Sequence, residues 1–204
     1  MKLFSFLMLV VIGASFSVTV KSATVTTTDL FWKPTTEVME LKRQLSISEV
    51  KVYKIKVGPL TDKRGENPAN LIGENSEVKK QPKQVVTNSN ISDFITRNFS
   101  SLLSDFGLQI VTESPDYTLE GDILEFFVME DNVYKSRAKM NLVLKKAGNV
   151  IWRETIMGKN TRFGRSYKME NYMETLADSL IDMTYNLLDN ADFTKSFQTK
   201  KNGQ

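Results

Sequence analysis

Between residues 115 and 158, apolar and polar side chains alternate along three successive stretches, and the alternation predicts three strands in a row. In the first, Tyr117, Leu119, Gly121, Ile123 and Phe127 share one face while Thr118, Glu120 and Asp122 take the other. Glu125 falls on the apolar face and breaks the period, so a bulge is expected near Leu124. Glu130-Asp131-Asn132 supplies turn-prone side chains, after which Tyr134, Ser136, Ala138, Met140, Leu142 and Leu144 alternate with Lys135, Arg137, Lys139, Asn141 and Lys145. Ala147-Gly148-Asn149 is a second tight turn, and Val150, Trp152, Thr155 and Ile156 lie in the third strand. Connections this short join antiparallel neighbours. Tyr53, Ile55 and Val57 mark an earlier strand over residues 49–58, and residues 107–111 read as a short one.

A period of three to four marks two helices. Ile91, Phe94, Ile95, Phe99, Leu102, Leu103 and Phe106 form one stripe, with Ser89 or Asn90 placed to cap the first turn and Gly107 placed to end it. Tyr172, Met173, Leu176, Leu180, Met183, Leu187 and Leu188 form another, over residues 170–190. The order of elements is strand, helix, short strand, three-strand meander, helix. It predicts an α+β fold with a mainly antiparallel sheet and two helices packed on one of its faces.

The remaining segments carry weaker patterns. Residues 1–22 begin with Lys2, continue as an apolar run from Leu3 to Val20 and exit through small side chains, the pattern of a signal peptide cut between about Ser17 and Ala23. The alternative is a retained membrane anchor, since the run approaches the minimum bilayer span. Residues 23–48 read as a lead-in, mobile over its threonines, with Phe31 and Trp32 capping one end of the core and a short strand or helical turn over residues 38–45. The α+β domain is expected over residues 49–193, and a flexible tail over 194–204. Residues 59–83 and 161–167 are the two prominent polar, irregular segments.

Composition narrows the chemistry. The chain holds 27 basic and 24 acidic residues, and without Lys2 and Lys21 of the leader the balance is 25 to 24, which gives no electrostatic case for nucleic acid. It has no Cys and no His, so disulfides, thiol nucleophiles, His-based triads and thiolate or imidazole metal sites are excluded. Glu120 and Asp122 share a strand face at a separation of roughly 7 Å, but a lysine or arginine on the adjacent strand accounts for them better than catalysis does. Asp62, Glu66 and Asn67 lack the alternating acids of a calcium loop. Lys135, Arg137, Lys139, Arg153, Lys159, Arg162 and Arg165 make the chain basic from the second strand of the meander onward, either as a solvated face or to meet acidic polymers.

Several of these features occur together in a known family. A strand leading into Asp62-Lys63-Arg64 is followed by Leu71-Ile72-Gly73, then by a helix ending Leu102-Leu103-Ser104-Asp105-Phe106-Gly107, then by Tyr117-Thr118-Leu119-Glu120-Gly121. With the meander and closing helix, these resemble the YajG-like bacterial envelope lipoproteins and, more distantly, the periplasmic domain of the curli secretion protein CsgG. The resemblance implies a periplasmic or secreted protein, associated with the outer membrane, without established catalysis or cofactor. Its partner would be an envelope protein or a second copy of the chain. The alternative is a carrier holding a lipid or glycan fragment in a sheet-helix cleft. Family members carry a lipobox cysteine; this chain has none, so lipid anchoring on an N-terminal cysteine does not apply.

The partner-binding candidates are Arg64, Arg162, Phe163, Arg165 and Tyr167. Loops on a rigid scaffold carry recognition more often than strand faces, guanidinium groups pair bidentately with carboxylate or phosphate, and aromatics beside them are enriched at interface hot spots. The competing expectation is that Phe163 and Tyr167 pack under the second helix.

Overall fold

The computed structural model describes residues 24–47, 50–65, 68–77 and 82–197, so the expected leader and the last seven residues lie outside it. In chain order the elements are β1 (Thr24–Thr28), α1 (Val38–Lys42), β2 (Lys54–Asp62), β3 (Leu71–Asn75), β4 (Lys83–Thr87), α2 (Ile91–Asp105), β5 (Gln109–Ile110), β6 (Tyr117–Asp131), β7 (Val133–Lys146), β8 (Asn149–Arg162), α3 (Met169–Asp189) and α4 (Ala191–Ser196).

β6 is the axis of the sheet. At 15 residues it is long enough for one edge to take two strands end to end. β2 runs parallel to its first half, from Ile55 opposite Tyr117 to Asp62 opposite Ile123. β3 runs parallel to its last residues, from Gly73 opposite Val128 to Asn75 opposite Glu130. The other edge of β6 carries β7, and β7 carries β8, both antiparallel. β4 returns antiparallel to β3 with β1 parallel outside it, and β5 adds two residues beside β2. The result is an α+β fold on an open, mostly antiparallel sheet of eight strands.

The meander follows its alternation. Tyr134, Ser136, Ala138, Met140, Leu142 and Leu144 all point inward and are buried, as are Trp152 and Ile156. The expected bulge lies between Ile123 and Glu125, and it changes the phase of the strand. Beyond it Phe126, Val128 and Glu130 are buried, so Phe127 turns to the open face instead of the core and Glu130 enters the core instead of the turn.

Both helical stripes are buried against one face of the sheet. Asn90 caps α2 by accepting from the Asp93 N–H at 3.0 Å, and Gly107 leaves it at φ +103°. α3 is buried almost all round, not along one stripe. Its underside rests on β8 so closely that a Cβ on Gly158 would overlap Met183 N and Ser179 O. The segment before and into α1 straps its outer side: Asp178 accepts the Thr35 and Thr36 N–H groups at 2.8 and 2.9 Å, and Glu174 takes Lys33 at 3.0 Å.

Several expected irregular segments are regular. The threonine-rich lead-in is β1, an edge strand whose β-branched residues suit the extended chain although they are polar. Part of the polar segment 59–83 is the end of β2, all of β3 and the start of β4. Leu71, Ile72 and Gly73 are buried in succession, so no alternation announced β3. The first strand begins at Lys54, later than residue 49, and residues 38–42 are helical. Trp32 packs on Phe94 as a core cap while Phe31 stays exposed. Residues 194–196 of the expected tail belong to helix α4, and Phe193 and Phe197 are buried among Tyr53, Tyr117 and Trp152, while residues 198–204 lie outside the described residues.

Candidate functional site

Beyond Arg162 the chain crosses to α3 through residues 163–168, and the polar groups beneath this crossing fix its shape. Tyr134 Oη and Asn171 Nδ2 both donate to the Arg165 carbonyl, at 2.7 and 3.0 Å. Ser166 Oγ donates to Glu77. The Tyr167 N–H donates to Glu130 Oε1 at 3.0 Å, and Tyr172 Oη donates to Glu130 Oε2 at 2.6 Å. Tyr167 lies at φ +59°, a conformation costly for a bulky side chain, and the Glu130 carboxylate holds it there. On the outside, Lys83 Nζ sits 4.1 Å from the centre of the Tyr167 ring.

Glu130 is only 1% exposed, and both its oxygens are engaged in holding the loop and α3. Burial pushes the Tyr172 hydroxyl above the ordinary phenol range, and the carboxylate it bonds adds to the shift, because a phenolate there would face a second anion. Burial raises Tyr134 in the same way. Both tyrosines therefore stay hydrogen-bond donors at neutral pH. Among the described residues no group of three or more acids is placed to hold a metal ion.

The five sequence candidates separate. Phe163 is 82% exposed at the start of the loop, Arg165 is exposed, and Tyr167 is 41% exposed. All three are exposed along the same short crossing, and Phe163 does not pack under the helix. Arg162, at the end of β8, is half-buried and engaged in an ion pair with Glu174 of α3. Arg64 is a correction. Its side chain is 1% exposed and plugs the gap on the β6 edge between β2 and β3. Its guanidinium pairs with Asp62 at 2.9 and 3.0 Å and donates to the Leu71, Ala69 and Phe126 carbonyls at 2.7, 2.6 and 3.4 Å. No partner can reach a side chain so enclosed. Sequence reasoning missed Lys83, Glu130, Tyr134, Asn171 and Tyr172 as the loop's foundation; the phase change after the bulge was the one available signal for Glu130.

Two other expectations meet the geometry. Glu120 pairs with Lys145 of the adjacent strand at 2.6 Å, the structural reading of that carboxylate. The sheet-helix interface, where a carrier would hold its cargo, is filled by side chains that are almost all under 5% exposed. A depression of about 380 Å³ lies on the surface, lined by residues 34–39 and Asp105.

The fold and loop define a class, an α+β domain with an open sheet face and a rigid aromatic-basic loop at one end of it. No protein-family model matches the chain, and no curated protein is significantly similar to it. Among solved structures it is similar to protein XCC0632 from Xanthomonas campestris, of family DUF330, with 13% identity and a TM-score of 0.54 over 86% of this chain and 99% of that one. That likeness shows the fold. A candidate lipoprotein from Caulobacter crescentus matches more loosely, with 9% identity and a TM-score of 0.46 over 80% of this chain and 100% of that one.

Proposed function

We propose that this chain is a non-catalytic exported protein of the bacterial envelope, a binding or assembly module resembling YajG-like proteins. It engages an envelope protein or a second copy of itself through Phe163, Arg165 and Tyr167. The observation that carries the reading is the 82% exposure of Phe163 on a loop whose backbone is pinned at Arg165 and Tyr167. A large apolar side chain held in water on a rigid support loses little conformational entropy when a partner covers it. Arg165 beside it offers a planar cation to a carboxylate.

The test is a photo-cross-linking amino acid at position 163 in living cells, with position 113 at the opposite end of the sheet as the control. One discrete adduct from 163 and none from 113 is the expected result. An adduct of doubled mass identifies the self-assembling form of the reading. Equal labelling from both positions, or none from 163, refutes it. Intact-mass measurement of the same protein tests export: loss of a segment ending between about Ser17 and Ala23 is expected, and a full-length species refutes cleavage.

A further inference from the structure

The open face of the meander divides into two halves with different charge. In the lower half, Glu120 and Asp122 of β6 face Lys145 of β7 and Arg153 of β8, and the signs balance. The upper half does not balance. Register places Phe127 opposite Arg137 and Lys159, Met129 opposite Lys135 and Thr161, and Glu125 opposite Lys139 and Met157. Four cations, Lys135, Arg137, Lys139 and Lys159, thus share this surface with three acids, Glu125 and Asp131 of β6 and Glu74, which lies beside Met129 on β3. Among the described residues only Arg137 has an ion pair there, with Glu125 at 3.5 Å.

β7 is an interior strand, so its cations are not there to protect an edge. Lys135, Arg137 and Lys139 follow one another on the same face at roughly 7 Å steps, and like charges so arranged repel. Beside this rail lie Phe127 and Met129, both half-buried, and beyond it Met157 is 47% exposed. Glu125, Phe127, Met129, Lys135 and Arg137 line a depression of about 350 Å³. Phe127 and Met129 supply its apolar lining, and Lys135 and Arg137 set two cations there against the one acid, Glu125.

The geometry points to this depression as a binding site for an anionic amphiphile, one acyl chain bearing a phosphate or carboxylate head. The chain lies on Phe127 and Met129 along the strand direction, and the head meets the cation rail. A hydrated polyanion would leave the apolar lining unused, and a neutral alkyl chain would leave the cations unrelieved. The site is separate from the Phe163 loop and does not depend on it.

Titration of the purified exported protein with dodecyl phosphate, below the concentration at which it forms micelles, tests the site. Inorganic phosphate and dodecyl maltoside serve as the two half-ligands. One-to-one binding of dodecyl phosphate is expected, at least tenfold tighter than either half-ligand and weakening as salt is raised. K135Q removes a charge from the lining of the depression without touching the Arg137–Glu125 pair, and M129Q removes apolar contact from that lining. Each should weaken binding at least several-fold while leaving the melting temperature in place. Maltoside binding as tight as dodecyl phosphate would overturn the proposal, as would phosphate binding as tight as the amphiphile. So would affinity that neither variant changes.

Discussion

Replacing Arg64 by Ala removes the side chain that lets two strands share one edge of β6. The guanidinium fills the gap left where β2 ends at Asp62 and β3 has not yet reached Val128. Its loss leaves the Leu71, Ala69 and Phe126 carbonyls without their donor and Asp62 without its partner. Each buried group left unbonded costs about 1–3 kcal/mol, but water entering the vacated space recovers part of that. Asp62 is exposed and water can replace its partner, so the cost falls on the buried carbonyls, and we expect Arg64→Ala to lose about 2–3 kcal/mol. Urea melts measure it, as a lower midpoint at unchanged slope. Arg64→Met fills the space without donors and should recover little. Arg64→Lys restores the charge but cannot span the fork, so it should recover less than half. A loss below about 1 kcal/mol for Arg64→Ala would refute the reasoning, because the site would then be open to water.

Leu103→Ala and Leu180→Ala, both at 0% exposure where the helices meet the sheet, should each cost about 2–5 kcal/mol in the same melts, and values under about 0.5 kcal/mol would contradict the packing. Gly158→Ala should destabilise by roughly 1–3 kcal/mol or more, since the methyl meets α3 backbone that cannot rotate away; an unchanged melting temperature would place the helix farther from β8. Tyr172 and Tyr134 keep their protons in the folded chain to higher pH than in the unfolded one. Stability should therefore be unaffected by them below the ordinary phenol value of 10.0 and fall above it, by up to about 1.4 kcal/mol per pH unit for each. Tyr172→Phe should flatten that slope, and an equally steep slope in the variant would show that Tyr172 is not the group responsible.

What the sequence disclosed follows the reach of its interactions. The meander and the two long helices repeat one local period over many residues, so their buried faces could be read from spacing alone. β1, β3 and β4 are five residues each and are stabilised by partners far away in the chain, Thr24 by Lys83 and Gly73 by Val128. Nothing local distinguishes such segments from loops. Arg64 was misassigned for the same reason. An arginine in a polar stretch looks available, and the gap it fills exists only once β2 and β3 have both docked on β6.

The bulge between Ile123 and Glu125 links the surfaces discussed above. Had β6 kept its phase past Ile123, Glu125, Phe127 and Met129 would point to the core, and Phe126, Val128 and Glu130 to water. The slip by one residue exchanges them. It sends Glu130 inward to meet Tyr172 and the Tyr167 N–H, which fixes the loop that presents Phe163. It also sends Phe127 and Met129 outward beside Arg137 and Lys135, which creates the amphiphilic depression on the open face. A continuous strand would place a carboxylate in water and an acid in the core, lose the loop's foundation and erase the groove together. The bulge therefore costs one unpaired residue in the ladder and determines both candidate binding surfaces, on opposite faces of the same strand.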